Sequence, residues 1–347
     1  MNPEKSNKNT EKSYKIFISQ KVRSLSDDAV TACYIKTLCD GFLSAGVQVF
    51  TEGTDQCQKS DFVLVDTVFD ALRTYIHGKR KIVFWAQGIL PEESYLRHRS
   101  WIRSWILSAL ERFVLKKSKI LFLVSKEMLF HYERKYHMNL SEKTFIMPCF
   151  HETSLNMDAF QYPLKYDFQT FAYVVSLNAW QCFEKTAALY KKIEVESEEQ
   201  TKLFVFTFQT EEAKEIIERY QIQNYEIAYV LSDALSSHLC KIKYGFVLRE
   251  DIAVNRVATP TKFSSYLSNG VIPIYSSVLS DFSGIDPGIG LRYDFEHEDL
   301  CYENLRKHMK CKLVANEMMR KCKRIFTDYY DTERYIAAIG MFLKKYL

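Results

Sequence analysis

Short apolar runs alternate with longer amphipathic stretches along most of this chain. Each run has the length of one buried strand, and the stretches between runs repeat their apolar residues at helical spacing. The pattern predicts strands at 15–18, 47–50, 62–65, 81–85, 120–124 and 144–147. It predicts helices at 27–46, through Leu72 and Tyr75, at 100–116, and from a Ser125 cap to about 136. Such alternation is typical of a parallel, doubly wound sheet.

The same pattern restarts after an irregular stretch at 151–170, which we interpret as a linker. Strands are predicted at 171–175, 203–208, 225–230 and 289–293, and helices at 179–193, 211–220 and 232–240, the last with Ser232 as its cap. From 299 onward the pattern predicts mostly helix. We therefore predict an α/β protein with two parallel-sheet domains, 14–165 and 166–330, after a disordered tail at 1–13.

Composition excludes several classes of protein. A chain of 347 residues with 47% hydrophobic content can build two sizeable cores. The net charge of +4 is too mild for a nucleic-acid binder. Nine cysteines without a C-x-x-C pair, and no expected secretory signal, predict reduced thiols in a cytoplasmic protein. The histidines lack metal-ligand spacing, so we expect no metal.

Glycine-rich nucleotide motifs are missing from both halves. Neither G-x-G-x-x-G nor G-x-x-x-x-G-K-[ST] occurs, and the whole chain has 11 glycines. This counts against a dinucleotide-dependent oxidoreductase and against a P-loop NTPase.

One strand-loop-helix segment carries the densest candidate chemistry. A buried apolar run ends in Arg249, Arg256 follows in a polar loop, and Lys262 opens the next helix. In an open α/β sheet the ligand crevice lies at such strand ends, and cations beside helix amides suit a diphosphate. Thr261 either caps the helix or holds its hydroxyl near the phosphates. The alternative is an ordinary strand-helix-strand unit with solvated basic residues.

Several segments, in this order, resemble GT-B glycosyltransferases, close to the family 4 enzymes that build bacterial capsule and other surface glycans. They are 87–94 (QGILPEES), similar to a His-Gly-x-x-Pro-Glu-Glu loop; 124–128 (VSKEM), similar to a Val-Ser-Glu-x-Met helix start; 146–150 (IMPCF), before the interdomain linker; 173–181 (YVVSLNAWQ), the opening of the donor domain; and 248–270, the donor-site loop and helix. The resemblance covers roughly 80–150 and 171–275.

This resemblance implies a GT-B fold, in which two Rossmann-like domains face each other across a cleft. The first would hold the acceptor and the second the nucleotide-sugar donor, with 331–347 packing back toward the first. It implies sugar transfer, with retention and without a metal or other cofactor, to a glycan or lipid-linked acceptor in surface polysaccharide synthesis.

Candidate site residues follow from the matched positions: Gln87, Glu92 and Glu93 for catalysis, Arg249, Arg256, Thr261 and Lys262 for the donor diphosphate, and Ser176, Gln181 and Ser265 for the donor nucleoside. Glu92 and Glu93 are also acids in the first turn of a helix, where they favour the macrodipole.

The chain departs from the family at four positions. Gln87 replaces the usual histidine, and an amide does not titrate near neutral pH. Val257 and Ser265 stand where many relatives carry a pair of glutamates, and Val175 replaces a frequent glycine. These departures motivate a second hypothesis, a non-catalytic GT-B relative that binds a nucleotide or glycan as a partner subunit.

The segment 97–119 is basic and amphipathic. Its apolar residues are Trp101, Ile102, Trp105, Ile106, Leu110, Phe113 and Val114, and its basic residues are Arg97, Arg99, Arg103, Arg112, Lys116, Lys117 and Lys119. One interpretation is peripheral contact with an anionic membrane at the inner membrane face, where a lipid-linked acceptor would reside. The other is a helix that covers the sheet with a solvated basic back. We favour the second for the apolar stripe, because a doubly wound sheet needs covering helices.

Overall fold

In the part of the chain that the structure describes, the fold is organised by two parallel sheets of six strands each. The computed structural model describes residues 14–25, 29–52, 56–174 and 176–347, so the predicted tail at 1–13, the start of the helix predicted from 27, and Val175 lie outside the described residues. We refer to the part built on the first sheet as the first domain and to the part built on the second sheet as the second domain.

The first domain follows the predicted alternation. Its strands are β1 (Lys15–Ile18), β2 (Gln48–Phe50), β3 (Phe62–Val65), β4 (Lys81–Ala86), β5 (Ile120–Leu123) and β6 (Thr144–Ile146); its helices are α1 (Gln20–Leu25), α2 (Ala29–Ser44), α3 (Val68–Ile76), α4 (Leu90–His98), α5 (Trp101–Lys117) and α6 (Lys126–Tyr136). The strand order is β2-β1-β3-β4-β5-β6. It reverses between β1 and β3, so a crevice opens there at the carboxyl ends of the strands.

The second domain repeats this architecture with a different strand order. Its strands are β7 (Gln169–Val174), β8 (Thr201–Phe206), β9 (Tyr225–Ala228), β10 (Tyr244–Val247), β11 (Ile272–Tyr275) and β12 (Leu291–Arg292). Its helices are α7 (Met157–Phe160), α8 (Phe183–Glu196), α9 (Thr210–Arg219), α10 (Leu235–Leu239), α11 (Ala253–Arg256), α12 (Lys262–Ser268), α13 (Ser280–Ser283), α14 (Glu298–Met309) and α15 (Ala315–Asp328); α16 (Thr332–Leu343) ends the chain. The order β12-β11-β10-β7-β8-β9 is that of a Rossmann sheet, and it reverses between β7 and β10.

The apolar runs located the strands because both faces of a parallel sheet are buried, so each strand is nearly continuous in apolar residues. The Ser125 cap is confirmed, since its hydroxyl accepts the Met128 N–H at 3.1 Å. The Ser232 cap is wrong: α10 begins only at Leu235, with Ala234 as its N-cap and no side-chain cap bond. The pattern also missed α1 and α11, which are too short for helical periodicity to be visible.

A segment of the second domain is embedded in the first. Val254 and Val257, in and after α11, are buried in the apolar core that contains β3, β4 and β5. The Ser125 hydroxyl donates to the Val257 carbonyl at 2.7 Å. The Thr259 hydroxyl accepts the Cys149 N–H at 3.1 Å. The loop that leaves β10 therefore joins the two domains through both apolar and polar contacts.

The last helix returns to the first domain. Ile339 and Leu343 of α16 share an apolar core with Phe42 of α2. The two helices approach at glycines: a Cβ on Gly41 would lie 2.5 Å from Ile339 Cγ2, and a Cβ on Gly340 would lie 2.4 Å from the Ser44 hydroxyl oxygen. In the described ranges, no helix combines the length and apolar composition needed to cross a bilayer.

The α2–α16 contact predicts a steric effect at Gly41. We expect Gly41→Val to lower the free energy of unfolding by about 1–3 kcal/mol, because the added methyl groups would push α16 away from the core. Lys36→Val, at an exposed position of the same helix, is the matched control and should change it by less than about 0.5 kcal/mol. Urea unfolding measures both. Equal effects of the two substitutions would contradict the close packing.

Candidate functional site

The candidate site lies at the switch point of the second sheet, where the chain leaves β7 and β10. Arg249, two residues after β10, is 4% exposed. Its guanidinium donates to the carbonyl of Gln181 at 3.2 Å and to the carbonyl of Leu248 at 2.7 Å. It also donates to the side-chain oxygen of Gln181. Gln181 belongs to the loop after β7, so this arginine ties the two loops together.

Lys262 reaches the same point from α12. It is 7% exposed, and its Nζ lies 3.5 Å from the Gln181 side-chain oxygen. The ring of Tyr173 lies below it, with its centroid 5.7 Å from Nζ. Two buried cations thus converge on a single neutral amide oxygen.

The acids nearest in sequence to Arg249 pair with other cations. Glu250 pairs with Lys185 at 2.6 Å, and Asp251 pairs with Arg256 at 2.5 Å. Within the described ranges, neither Arg249 nor Lys262 forms an ion pair. Burial lowers the pKa of Arg249, and burial together with the charge of Arg249 lowers the pKa of Lys262 well below its ordinary value. Buried charges are normally paired, so this arrangement favours an anion that joins from outside.

The packing of α12 on β10 brings Lys262 to this position. Gly245 in β10 has no side chain, and a Cβ there would lie 2.3 Å from the ring of Tyr266. The ring therefore occupies that space, and α12 is buried along its whole length. Thr261 is the N-cap residue of α12, but its side chain makes no cap bond, so of its two expected roles only the one near the phosphates stays a prediction. Because α12 has only seven residues, the two basic side chains and not the helix terminus would attract an anion.

An open cavity of about 690 Å³ adjoins Arg249. It runs along the carboxyl ends of β10, β11 and β12, and its wall includes Lys185, Asp294 and Phe295. Asp294 accepts the Ser277 N–H at 2.7 Å and the Ser277 hydroxyl at 2.9 Å. A volume of this size is in the range that small-molecule ligands fill.

The other donor-site candidates are dispersed. Arg256 is exposed and paired with Asp251, so it does not join the two buried cations. Ser265 is buried within α12. Ser176 accepts the Tyr173 hydroxyl at its carbonyl, 3.2 Å away, and its own hydroxyl accepts from the Asn178 amide at 2.8 Å.

The first-domain candidates follow β4. Gln87 is exposed directly after this strand. Glu93 folds over Gly88 so closely that a Cβ there would lie 2.0 Å from its carboxylate, and burial raises the pKa of Glu93. The Tyr132 hydroxyl fixes this loop by donating to the Gly88 carbonyl at 3.0 Å.

Glu92 is engaged inside the first domain. Its carboxylate pairs with Lys135 at 2.7 Å and with His131 at 3.2 Å, both on α6. Burial alone would raise the pKa of Glu92, but the interactions with His131 and Lys135 outweigh it and lower the pKa. Lys135 also lies 3.6 Å from the buried Glu111. Glu92 thus pairs with α6, whereas Glu93 packs on its own loop. Their adjacency in the sequence did not reveal that the two glutamates have different partners.

Sequence reasoning missed a contact across the two domains. The guanidinium of Arg97, near the end of α4, lies over the ring of Trp180, with its Cζ 5.1 Å from the ring centroid. No local pattern links two residues that belong to different domains. Among the described residues, no group of three His, Cys, Asp or Glu side chains is arranged to hold a metal ion.

Comparison with solved structures identifies the fold. Sucrose-phosphate synthase from Thermosynechococcus elongatus aligns over 96% of this chain and 99% of its own, with a TM-score of 0.69 and 11% identity. The E. coli trehalose-6-phosphate structure bound with UDP-2-fluoro glucose aligns over 90% and 77%, with a TM-score of 0.60 and 10% identity. WaaG, a glycosyltransferase involved in lipopolysaccharide biosynthesis, aligns over 94% and 99%, with a TM-score of 0.58 and 12% identity. Comparison of the sequence with protein-family models and with curated proteins gave no match. The chain has the GT-B fold that the resemblance predicted; identities this low establish the fold alone.

Burying Arg249 and Lys262 together should lower the free energy of unfolding, and removing the Lys262 ammonium should restore part of it. We expect Lys262→Met to raise the free energy of unfolding near neutral pH by about 1–3 kcal/mol, because it removes an unpaired buried charge. The unfolded chain binds more protons than the folded one between the lowered pKa of Lys262 and its ordinary 10.5, so stability rises with pH in that window. The advantage of the variant should therefore shrink as the pH approaches about 10.

Urea unfolding at several pH values measures this difference. Lys323→Met, at an exposed position of α15, is the control and should leave stability unchanged. A Lys262→Met variant that is less stable than wild type at neutral pH, with no pH dependence of the difference, would contradict the electrostatic description.

Proposed function

We propose that this protein is a glycosyltransferase that moves a sugar from a nucleotide-activated donor to a glycan or lipid-linked acceptor. One observation carries the proposal: two buried basic side chains, Arg249 and Lys262, converge at the switch point of the second domain of a GT-B fold, and no acidic side chain of the described residues pairs with them. This is the crevice in which open α/β sheets bind ligands.

The donor diphosphate would complete this electrostatic arrangement. Its oxygens would replace the side-chain oxygen of Gln181 as the acceptor for Arg249 and Lys262, and the planar guanidinium suits phosphate oxygens. The cavity next to Arg249 has room for the nucleoside. Relatives in fold support this choice of ligand, since the E. coli structure was bound with UDP-2-fluoro glucose and a mutant of S. aureus TarM was in complex with UDP.

The chemistry follows from where charge develops. When the bond between the anomeric carbon and the donor diphosphate breaks, negative charge accumulates on the leaving phosphate oxygens. Arg249 and Lys262 would neutralise that charge in a buried site, where such an interaction is strong. The proposal includes metal independence, retention at the anomeric carbon and a family 4 type role in surface polysaccharide synthesis, all of which the resemblance implies.

The acceptor would bind on the first domain. Gln87 and Glu93 lie after β4, and an open cavity of about 490 Å³ lies after β1 and β3, lined in part by Lys21, Asp70 and Arg73. This is the switch point of the first sheet. Amide, carboxylate and guanidinium groups all hydrogen-bond sugar hydroxyls.

A second candidate is a non-catalytic nucleotide- or glycan-binding subunit. It is favoured by the residues at the positions where relatives carry glutamates, because Val257 is buried in the first-domain core and Ser265 offers only a hydroxyl. Incubation with UDP-glucose and other nucleotide sugars distinguishes the two. Release of UDP by hydrolysis or transfer supports the enzyme, whereas binding without release supports the subunit.

Nucleotide binding should depend on the buried Arg249 and Lys262 and not on the exposed Arg256. We expect Lys262→Ala and Arg249→Ala each to weaken UDP binding about 10- to 100-fold, the usual effect of losing a charge-assisted hydrogen bond. Arg256→Ala is the matched control and should change the affinity little, because Arg256 is exposed and paired with Asp251. Isothermal titration calorimetry measures all three.

The number of protons taken up on UDP binding gives a second measurement from the same calorimetric experiment. Because burial lowers the pKa of Lys262, an incoming diphosphate should raise it again, so that binding takes up protons at a pH between the lowered and the raised pKa, where Lys262 has lost its proton in the free protein. Calorimetry in buffers of different ionisation enthalpy should detect this uptake in wild type and lose it in Lys262→Ala. Unchanged affinity in both Ala variants of the buried pair would contradict the diphosphate assignment.

Turnover should not need a divalent metal. We expect activity with a nucleotide sugar to persist in excess EDTA, because the cations of the protein balance the leaving-group charge. A loss of turnover that Mn²⁺ or Mg²⁺ restores would contradict this part of the proposal.

A further inference from the structure

Large apolar side chains are exposed at the start of α5. Trp101 is 72% exposed, Ile102 54%, Trp105 69% and Ile106 48%. Residues one turn apart share a helix face, so these four form one continuous surface. We refer to Trp101, Ile102, Trp105 and Ile106 as the apolar face of α5.

This exposure corrects the interpretation of α5 as a sheet cover along its whole length. Only the later part meets the sheet, where Leu107, Val114 and Leu115 are buried. The first turns are held instead against α4, since the Ser104 hydroxyl donates to the Pro91 carbonyl at 3.0 Å. Helix α5 therefore presents its first two turns to solvent while its remainder covers the sheet.

The surroundings of the apolar face are positively charged. From 94 to 119 the only acid is Glu111, which is buried and accepts the Tyr136 hydroxyl at 2.5 Å. Arg99, Arg103 and Arg112 are exposed in the same stretch. An exposed apolar face whose own segment carries exposed cations and no exposed acid is complementary to an anionic partner, whereas the same face of a second copy would bring like charges together.

We propose that the apolar face of α5 docks on the surface of an anionic phospholipid bilayer. Indole rings prefer the boundary between hydrocarbon and headgroups, and arginines beside them meet the lipid phosphates. This mode of binding is that of an interfacial amphipathic helix lying in the headgroup region. The docking itself does not depend on the proposed function.

The position of this face suggests what docking achieves. Arg97, at the end of α4, stacks on Trp180 in the loop that carries Gln181. The docked surface therefore adjoins the opening between the domains. If the proposed function holds, docking would bring a lipid-linked acceptor to that opening, which deepens the acceptor choice made above.

Co-sedimentation with vesicles tests the proposal. The full chain should bind vesicles of phosphatidylglycerol and phosphatidylcholine, and Trp101→Ser with Trp105→Ser should weaken binding about tenfold or more. Phe168→Ser with Leu300→Ser removes two exposed apolar side chains elsewhere and is the matched control, expected to bind like wild type. Circular dichroism and calorimetry with UDP should show an unchanged fold and nucleotide affinity in both variants, so that a failure of docking is distinguishable from a failure of the proposed function.

The arginines beside the apolar face of α5 allow an independent test. Arg99→Gln with Arg112→Gln should lower vesicle binding about fivefold per cation, and added salt should reduce binding of wild type. Arg320→Gln with Lys323→Gln, on exposed positions of α15, should have no effect. Equal binding of the Trp double variant, or equal binding of wild type to pure phosphatidylcholine, would overturn the proposal. A concentration-dependent dimer that the Trp substitutions abolish would assign the face to a second copy and also overturn it.

Discussion

The repulsion between two buried cations that share one amide oxygen is the constraint on which the rest of the site depends. Arg249 and Lys262 can remain buried together because Gln181 accepts from both, while the neighbouring acids pair with other cations. A neutral amide satisfies hydrogen bonds but does not cancel charge. The folded protein therefore carries an electrostatic imbalance that an anionic ligand would correct, and Gly245 maintains it by letting α12 pack closely on β10.

The same constraint links the site to the relation between the domains. The loop that begins at Arg249 continues into α11, where Val254 and Val257 are buried in the first-domain core. On the other side of the site, Trp180 stacks on Arg97 of the first domain. A ligand that displaced Gln181 would act on a loop in direct contact with the first domain. The proposed donor would therefore bind against two segments that already pack on the first domain.

The sequence reveals the fold well because strand positions depend on local composition. Buried parallel strands are continuous apolar runs, as at 62–65, where the predicted and observed bounds agree. The meeting of Arg249 and Lys262 was also predictable, since a cation after a strand and one at a helix start lie at the same edge of a sheet; their binding of a diphosphate stays a prediction. What could not be predicted depends on tertiary pairing: Arg256 turns to Asp251, Glu92 turns to α6, and Gln181 joins the two cations. The exposure of Trp101 was likewise hidden, because helical spacing is the same for a buried stripe and an exposed one.

A crystal structure of the protein with UDP would test the central claim most directly. The account predicts diphosphate oxygens within hydrogen-bond distance of both the Arg249 guanidinium and the Lys262 ammonium, with the Gln181 side chain turned away from them. It also predicts the nucleoside in the cavity along the ends of β10, β11 and β12. A diphosphate bound elsewhere, with Gln181 still between the two cations, would contradict it.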